Sequence, residues 1–254
     1  SPIHSFAETI NFDVRTPYQL KDNKSEYEYF KNLDLDLVII VAYGIIIPKE
    51  FLSLSKNGFI NLHASILPQW RGAAPIQRSI MSQDKETGIS VMKINEKLDE
   101  GDISHIFKIY IEENENAESL SERLSTLASE KISEIIDSIM DQEVVFKPQD
   151  HSKATYAEKI KKTEGLIDWN DKAQNIIGKI NGLFPYPGGY FIYKGERYKI
   201  LKAQKSFNKD QPGKVLSSDF EISCGENSIK ILEIQREGKK PQKINEFIIG
   251  SQIE

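Results

Sequence analysis

The sequence predicts an α/β domain built on a mostly parallel sheet, followed by a smaller β-rich domain. Three observations carry that expectation. Through the first half, short apolar runs alternate with helical periods, the pattern of parallel strands joined by crossover helices. One long amphipathic stretch, Ala117 to Met140, closes this half and gives way to a polar, aperiodic segment. Beyond it, short strand-like runs follow one another with little helix.

Taken in order, Leu37 to Ala42 is a continuous apolar run of the kind found in a strand buried on both faces. Phe59 to His63 and Gly88 to Ile94 read as further strands, with a short helix at Ala74 to Met81 between them. In the long helix, Leu120, Leu124, Leu127, Ala128, Ile132, Ile135, Ile136 and Ile139 recur at helical spacing. Residues 1–141 therefore form the first domain, and 142–162, polar and carrying Pro148, a linker. The second domain, 163–254, opens with a helix marked by Ala173, Ile176, Ile177 and Ile180. It turns at Pro185-Tyr186-Pro187-Gly188-Gly189 and continues as strands at 190–193, 197–203, 215–217 and 228–235. Lys194-Gly195 suits a hairpin turn. Such a set of strands suggests a small β-barrel, a shape often used to track nucleic acid.

Composition narrows the function classes. With 39% hydrophobic and 28% charged residues the chain has the make-up of an ordinary globular protein. Its longest apolar run falls far short of the ~20 residues a membrane span requires. The start Ser1-Pro2-Ile3-His4 has neither a basic region nor an apolar signal core, so a cytoplasmic location is expected. The single cysteine, Cys224, excludes an internal disulfide and reads as a buried strand residue. Four scattered histidines offer no metal-ligand spacing, so no metal is expected. The net charge of −5 hides an asymmetry: residues 1–150 carry 15 Lys and Arg against 25 Asp and Glu, residues 151–254 carry 18 against 13. A basic second half is compatible with a phosphate-bearing partner.

The residues that carry chemistry lie at a strand end. A period of two puts Asn61 and His63 on one face, where open α/β sheets place their ligands. The loop that follows, Ala64-Ser65-Ile66-Leu67-Pro68, leaves amides free to meet a ligand, and Asp99 follows the second strand. An amide donor, an imidazole and a carboxylate suit acyl transfer to an amine without a covalent intermediate. The first two stabilise the oxyanion, and the carboxylate supports the imidazolium and helps remove the amine proton. The spacing Asn-x-His alone is equally that of a structural histidine.

The twenty residues from Asn61 to Ile80, NLHASILPQWRGAAPIQRSI, resemble the signature of methionyl-tRNA formyltransferases almost position for position. Val41 to Pro48 resembles that family's folate-pocket strand, Lys97 to Ile103 its aspartate loop, and 155–159 and 167–169 extend the likeness. The resemblance implies a Rossmann-like catalytic domain and an OB-like C-terminal domain that binds tRNA. It implies 10-formyltetrahydrofolate as formyl donor and methionyl-initiator tRNA as acceptor, acted on by a monomer. Asn61, His63 and Asp99 match the catalytic trio; Ser65, Ile66, Leu67 and Pro68, with Tyr43, Gly44 and Ile45, match the folate-contacting stretches. Arg71 and the linker lysines Lys159, Lys161 and Lys162 are expected to contact tRNA, and Trp70 either walls the site or anchors its loop.

Ser1 to Leu20 resembles a segment well inside the family's first domain, so about 50 residues, roughly one and a half βαβ units, are expected to be missing ahead of it. Two other readings stand beside this one. Sugar-nucleotide N-formyltransferases share the trio, although Arg71 to Arg78 resembles the tRNA branch. A tRNA-binding protein with a silent enzyme half would not need all three polar residues.

Overall fold

The computed structural model describes residues 2–250. The first unit contains, in chain order, Pro2–Thr9 (α1), Lys24–Asn32 (α2), Val38–Ile40 (β1), Lys49–Leu52 (α3), Phe59–His63 (β2), Arg71–Gly72 (β3), Pro75–Met81 (α4), Glu86–Lys93 (β4), Ile103–Tyr110 (β5) and Ala117–Met140 (α5). Tyr156–Ala157 (β6) follows in the connecting segment. The second unit contains Ala173–Gly182 (α6), Gly189–Tyr193 (β7), Glu196–Ser206 (β8), Glu221–Ser223 (β9), Ser228–Arg236 (β10), Gln242–Lys243 (β11) and Ile244–Gly250 (α7).

The long helix spans the residues its periodicity predicts. Its start is set by a reciprocal cap: the Asn116 side chain accepts from Ser119 N and the Ser119 hydroxyl accepts from Asn116 N. Leu120, Leu124, Ile135 and Ile139 are buried along one stripe, packing on Ile60, Leu62, Ile89 and Val91 of the sheet.

The four-stranded sheet has the order β1-β2-β4-β5, and it corrects the expectation of a mostly parallel sheet. Only β1 and β2 run parallel; β2 with β4 and β4 with β5 are antiparallel. The connection from Ile94 to Asp102 is too short for the helical crossover that a parallel pair needs, and it joins β4 to β5 as a hairpin instead. The sheet is therefore mixed, and β5 was not anticipated.

Alternation along β2 divides its side chains between two layers. Ile60 and Leu62 face α5, whereas Phe59 packs with Leu20, Phe51 and the flanking Tyr27 and Phe30 on the other face. Asn61 and His63 continue the Phe59 face toward the end of the strand.

In the second unit an antiparallel sheet of order β11-β10-β8-β7, with β9 also on β10, packs on α6 and α7 around Ile176, Ile180, Ile200, Ile229, Ile231 and Phe247. Among the described residues no pairing closes the sheet by joining β7 to β9 or β11. The Lys194-Gly195 hairpin turn is present, with both residues at positive φ (49° and 80°), as a two-residue turn of the primed type requires. The strand expected at 215–217 reduces to a single bridge, Val215 to Ile222. Cys224 lies in this core just past β9, fully buried, and burial pushes its thiol up to about 11.

The two units meet where α4 packs on α6. Gly178 and Gly182 allow the approach: a Cβ at Gly182 would stand 2.8 Å from the Gln77 carbonyl oxygen. Beside them Arg78 of α4 clasps Glu164 through two hydrogen bonds of 2.6 and 3.2 Å. That bond holds the Glu164 carboxyl below its ordinary range, outweighing the opposing effect of burial. A depressed carboxyl stabilises the fold above its unfolded pKa, about 4.3, and the contribution is lost as pH falls through the folded value. Thermal melts should therefore separate the native chain from Glu164→Gln at neutral pH, and the gap should close on acidification below pH ~4. A gap that is absent at neutral pH, or insensitive to acid, would show that the clasp contributes no stability.

Candidate active site

His63 sits at the last position of β2, opposite Ser90 of β4, and is 6% exposed. Its Nε2 lies 2.9 Å from the Trp70 carbonyl oxygen, so Nε2 carries a proton and donates. Its Nδ1 faces Asp99 Oδ2 at 3.6 Å. Both ring nitrogens thus face acceptor oxygens. Asp99 Oδ2 also accepts from the backbone N of Gly72 at 2.8 Å. Asn61 is partly buried two residues back on the same face, and its side-chain amide has no hydrogen-bond partner among the described residues. The structure thus brings the three expected catalytic side chains to one place.

Asp99 arrives by a different route from the one its position suggests. Because β4 runs antiparallel to β2, the connection after β4 leaves the sheet beside Phe59, where Ile94 N donates to Phe59 O at 2.8 Å. It must then fold back to reach His63 at the far end of β2. Gln149 holds it there, its Nε2 donating to the Asp99 and Gly101 carbonyl oxygens, both at 2.8 Å. The Gln149 Oε1 in turn accepts from Arg71 Nε and Nη2 at 3.1 and 2.7 Å. Gln149 is invisible to sequence patterning because it lies in an aperiodic segment 50 residues from Asp99, and no spacing signals it.

This network corrects the expectation for Arg71. The side chain is 1% exposed, bonded to Gln149, hydrogen-bonded to His151 Nδ1 and 3.4 Å from Glu100. It offers no face to a polynucleotide and instead supports the Asp99 loop. Lys159, Lys161 and Lys162 are exposed and form no ion pair among the described residues.

The loop after β2 is fastened from below. Ser90, a fully buried polar residue between Ile89 and Val91 of β4, donates to Ser65 O at 2.7 Å and accepts from Leu67 N at 3.0 Å. Ser65 donates to Gln69 O at 2.6 Å, and both Ser65 and Leu67 are buried, so neither side chain is open to a ligand as it stands. Ile66 and Pro68 keep accessible surface. Because β1 and β2 are parallel, the loop after β1 leaves by the same edge, carrying exposed Tyr43 and Gly44 and half-buried Ile45. Trp70 acts as an anchor: its Nε1 donates to Asp84 at 2.7 Å and its backbone N to Thr155 Oγ1 at 2.9 Å. Among the described residues no group of three or more His, Cys, Asp or Glu could hold a metal ion, and no helix is long and apolar enough to cross a membrane.

A buried imidazole held between a carboxylate and a carbonyl, with an unpartnered amide on the same face, is the equipment of a group-transfer enzyme. The family described as "Formyl transferase" matches residues 5–136, and "Formyl transferase, C-terminal domain" matches 159–252, placing the chain among the formyltransferases. The methionyl-tRNA formyltransferase of Pelagibacter ubique is 63% identical over the whole chain, which spans 82% of that protein's length. That of Caldanaerobacter subterraneus is 40% identical, with 83% of its length covered. The chain belongs to the methionyl-tRNA formyltransferase family. Among solved structures, WlaRD, a sugar 3N-formyl transferase, matches with a TM-score of 0.71 at 18% identity, covering 94% of this chain and 82% of that one. HypX from Aquifex aeolicus in complex with tetrahydrofolic acid matches with a TM-score of 0.68 at 17% identity, covering 91% and 41%. At these identities the two likenesses establish the shared fold.

Replacing Gln149 with Leu should strip both carbonyl bonds from the Asp99 loop while keeping the volume. Since misplacing a catalytic group by about 1 Å can cost 10²-fold, kcat should fall by about that factor with KM little changed. Steady-state kinetics of Gln149→Leu beside Gln149→Glu, which can accept from Arg71 but cannot donate to both carbonyls, check this. A native kcat in either variant would show that the loop holds itself.

Proposed function

We propose that the protein transfers the formyl group of 10-formyltetrahydrofolate to the amino group of methionine on charged initiator tRNA, with Asn61, His63 and Asp99 carrying the chemistry. The observation that carries this assignment is the His63 ring, held between Asp99 and the Trp70 carbonyl beside the unpartnered Asn61 amide. In this reading the amine attacks the formyl carbon, and the carbonyl oxygen gathers negative charge. The Asn61 NH₂ donates to it, joined by the Nε2 proton that His63 shares with the Trp70 carbonyl in the free chain. Asp99 holds the imidazolium and receives the proton that the attacking amine sheds. Collapse of the intermediate breaks the bond between the formyl carbon and N10, and the departing nitrogen takes that proton. The formyl group ends on the methionine amine and tetrahydrofolate leaves, with no enzyme nucleophile spent.

In this reading the folate rings lie along the edge shared by the two loops, where Tyr43, Ile45, Ile66 and Pro68 keep accessible surface. Residues 1–141 serve as the catalytic domain, 142–162 as linker, and 163–254 as an OB-like tRNA-binding domain. Its antiparallel strands and basic balance support that role. A monomer working in the cytoplasm, where charged tRNA is found, accords with it. The sugar-nucleotide alternative shares the fold and the trio, but the relatives at 63% and 40% identity are methionyl-tRNA formyltransferases.

Formyl transfer from 10-formyltetrahydrofolate to methionyl-initiator tRNA tests the reading directly. His63→Ala and Asp99→Asn should each lower kcat by about 10²- to 10⁴-fold, the range for losing a positioned acid–base or oxyanion group. Native rates in both variants would remove these side chains from the mechanism. Alanine at Lys159, Lys161 and Lys162 together should weaken tRNA binding and flatten its salt dependence by up to about 1 for each phosphate that is no longer neutralised. An unchanged slope would return these lysines to a purely solvating role.

A further inference from the structure

We propose that Asp84 is a positioning residue for His63: through the Trp70 indole it holds the Trp70 carbonyl against Nε2 and so keeps the proton on that nitrogen. The consequence for the reaction rests on the proposed role of His63, whereas the effect on the ring does not.

The imidazole stands between two unequal acceptors. Asp99 Oδ2 faces Nδ1 at 3.6 Å, and the Trp70 carbonyl oxygen lies 2.9 Å from Nε2. Which nitrogen of a neutral ring carries the proton is decided by what each one meets. A carboxylate is the stronger acceptor, so it draws that proton toward Nδ1. The other tautomer, whose Nε2 proton is the one able to turn to an oxyanion, therefore depends on the carbonyl staying close and in line.

The direction of that carbonyl is held against a strained backbone. Trp70 has a φ of 60°, a region that bulky residues rarely occupy and that persists only where the surroundings impose it. Relaxation to a negative φ would swing the Trp70 carbonyl away from His63. Thr155 resists this from the backbone side. Its N donates to Pro68 O at 3.2 Å, its Oγ1 accepts from Trp70 N at 2.9 Å, and its carbonyl oxygen accepts from Arg71 N at 2.9 Å. The side chain is held from the other direction by Asp84, whose Oδ2 accepts from the indole Nε1 at 2.7 Å.

Asp84 stands where electrostatics disfavours an acid. It follows the last residue of α4 by three positions, at the end where the helix dipole is negative. Burial pushes its carboxyl above the ordinary range, outweighing the opposite effect of the indole bond, and no cation pairs with it among the described residues. Its backbone N donates to Ser79 O at 3.0 Å, but its carboxylate has the indole as its one hydrogen-bond partner. What this placement provides is one strong bond, since an ionised acceptor holds an N–H about twice as firmly as a neutral one. That bond ends on the residue whose carbonyl meets His63.

Nitrogen NMR shifts of the His63 ring in the full chain test this beside steady-state kinetics. The signals are assigned by their loss in His63→Ala and read at a pH where the imidazole is neutral. In Asp84→Leu, which keeps volume and removes the acceptor, Nε2 should move from the protonated toward the unprotonated range. kcat for formyl transfer should fall by about 10- to 10²-fold, with KM for folate and for tRNA little changed. Asp84→Asn, which keeps an acceptor of the same shape, should restore the native shift and most of kcat. Trp70→Phe keeps an aromatic ring without the N–H and should behave as Asp84→Leu does. It carries the test if Asp84→Leu melts early, and the double variant should be no worse than either single one. A native Nε2 shift in a folded Asp84→Leu or Trp70→Phe overturns the proposal, whatever the rate. A displaced shift with native kcat, or an active His63→Ala, would instead count against the catalytic reading of His63 and leave the coupling of Asp84 to the ring standing.

Discussion

The antiparallel pairing of β2 with β4 sets the problem that the rest of the site solves. It sends the chain away from His63 at the end of β4, so the carboxylate that must face the imidazole begins its loop at the wrong end of the sheet. Bringing Asp99 back leaves the backbone carbonyls of Asp99 and Gly101 turned inward, and an unpaired buried carbonyl costs about 1–3 kcal/mol. One primary amide answers both, and its own oxygen answers Arg71. Few side chains can do this. Glutamate lacks the donors, leucine lacks everything but volume, and lysine would place a second cation against a fully buried guanidinium. Arg71 in turn is tolerable in the interior only because its donors are met, since an uncompensated buried charge costs several kcal/mol.

The same economy governs the imidazole. A neutral ring with Nε2 protonated would aim its Nδ1 lone pair at the Asp99 carboxylate, and the opposite tautomer would aim a lone pair at the Trp70 carbonyl. The ring is thereby oriented at both ends, with its Nε2 proton toward the Trp70 carbonyl and Nδ1 toward the carboxylate. Asp99 is held in place by the Gly72 amide, a donor supplied by the loop that also carries the Trp70 carbonyl. The loop at 70–72 is thus part of the electrostatics of the trio as well as its wall.

How much of this could be read in advance follows from the range of the forces involved. The long helix and the sharing of one face by Asn61 and His63 depend on periods within a single element, and both appear as the residues imply. The direction of β4 depends on the length of a connection, and the assumption of crossover helices hid it. Ile103, His105, Phe107 and Ile109 alternate in the manner of a strand, so β5 was legible from that period. Gln149 was not legible by any local rule, because its partners are Arg71, Asp99 and Gly101. Arg71 is hidden from local patterning for the same reason: a charge in a loop is by default a solvated one, and only its distant partners reveal otherwise.

The connecting segment ties these observations to the second unit. Thr155 to Ala157 lies along the loop at 70–74 as a parallel partner, with Arg71 N donating to Thr155 O and Ala73 N to Ala157 O, both at 2.9 Å. A few residues on, Glu164 grips Arg78, and Tyr190 holds Ile167 N. The polypeptide that supplies Gln149 beneath Asp99 therefore runs on through the catalytic loop, across the helix interface and into the β7–β8 hairpin. Each fastening is short in sequence from the next, so slack cannot accumulate between them.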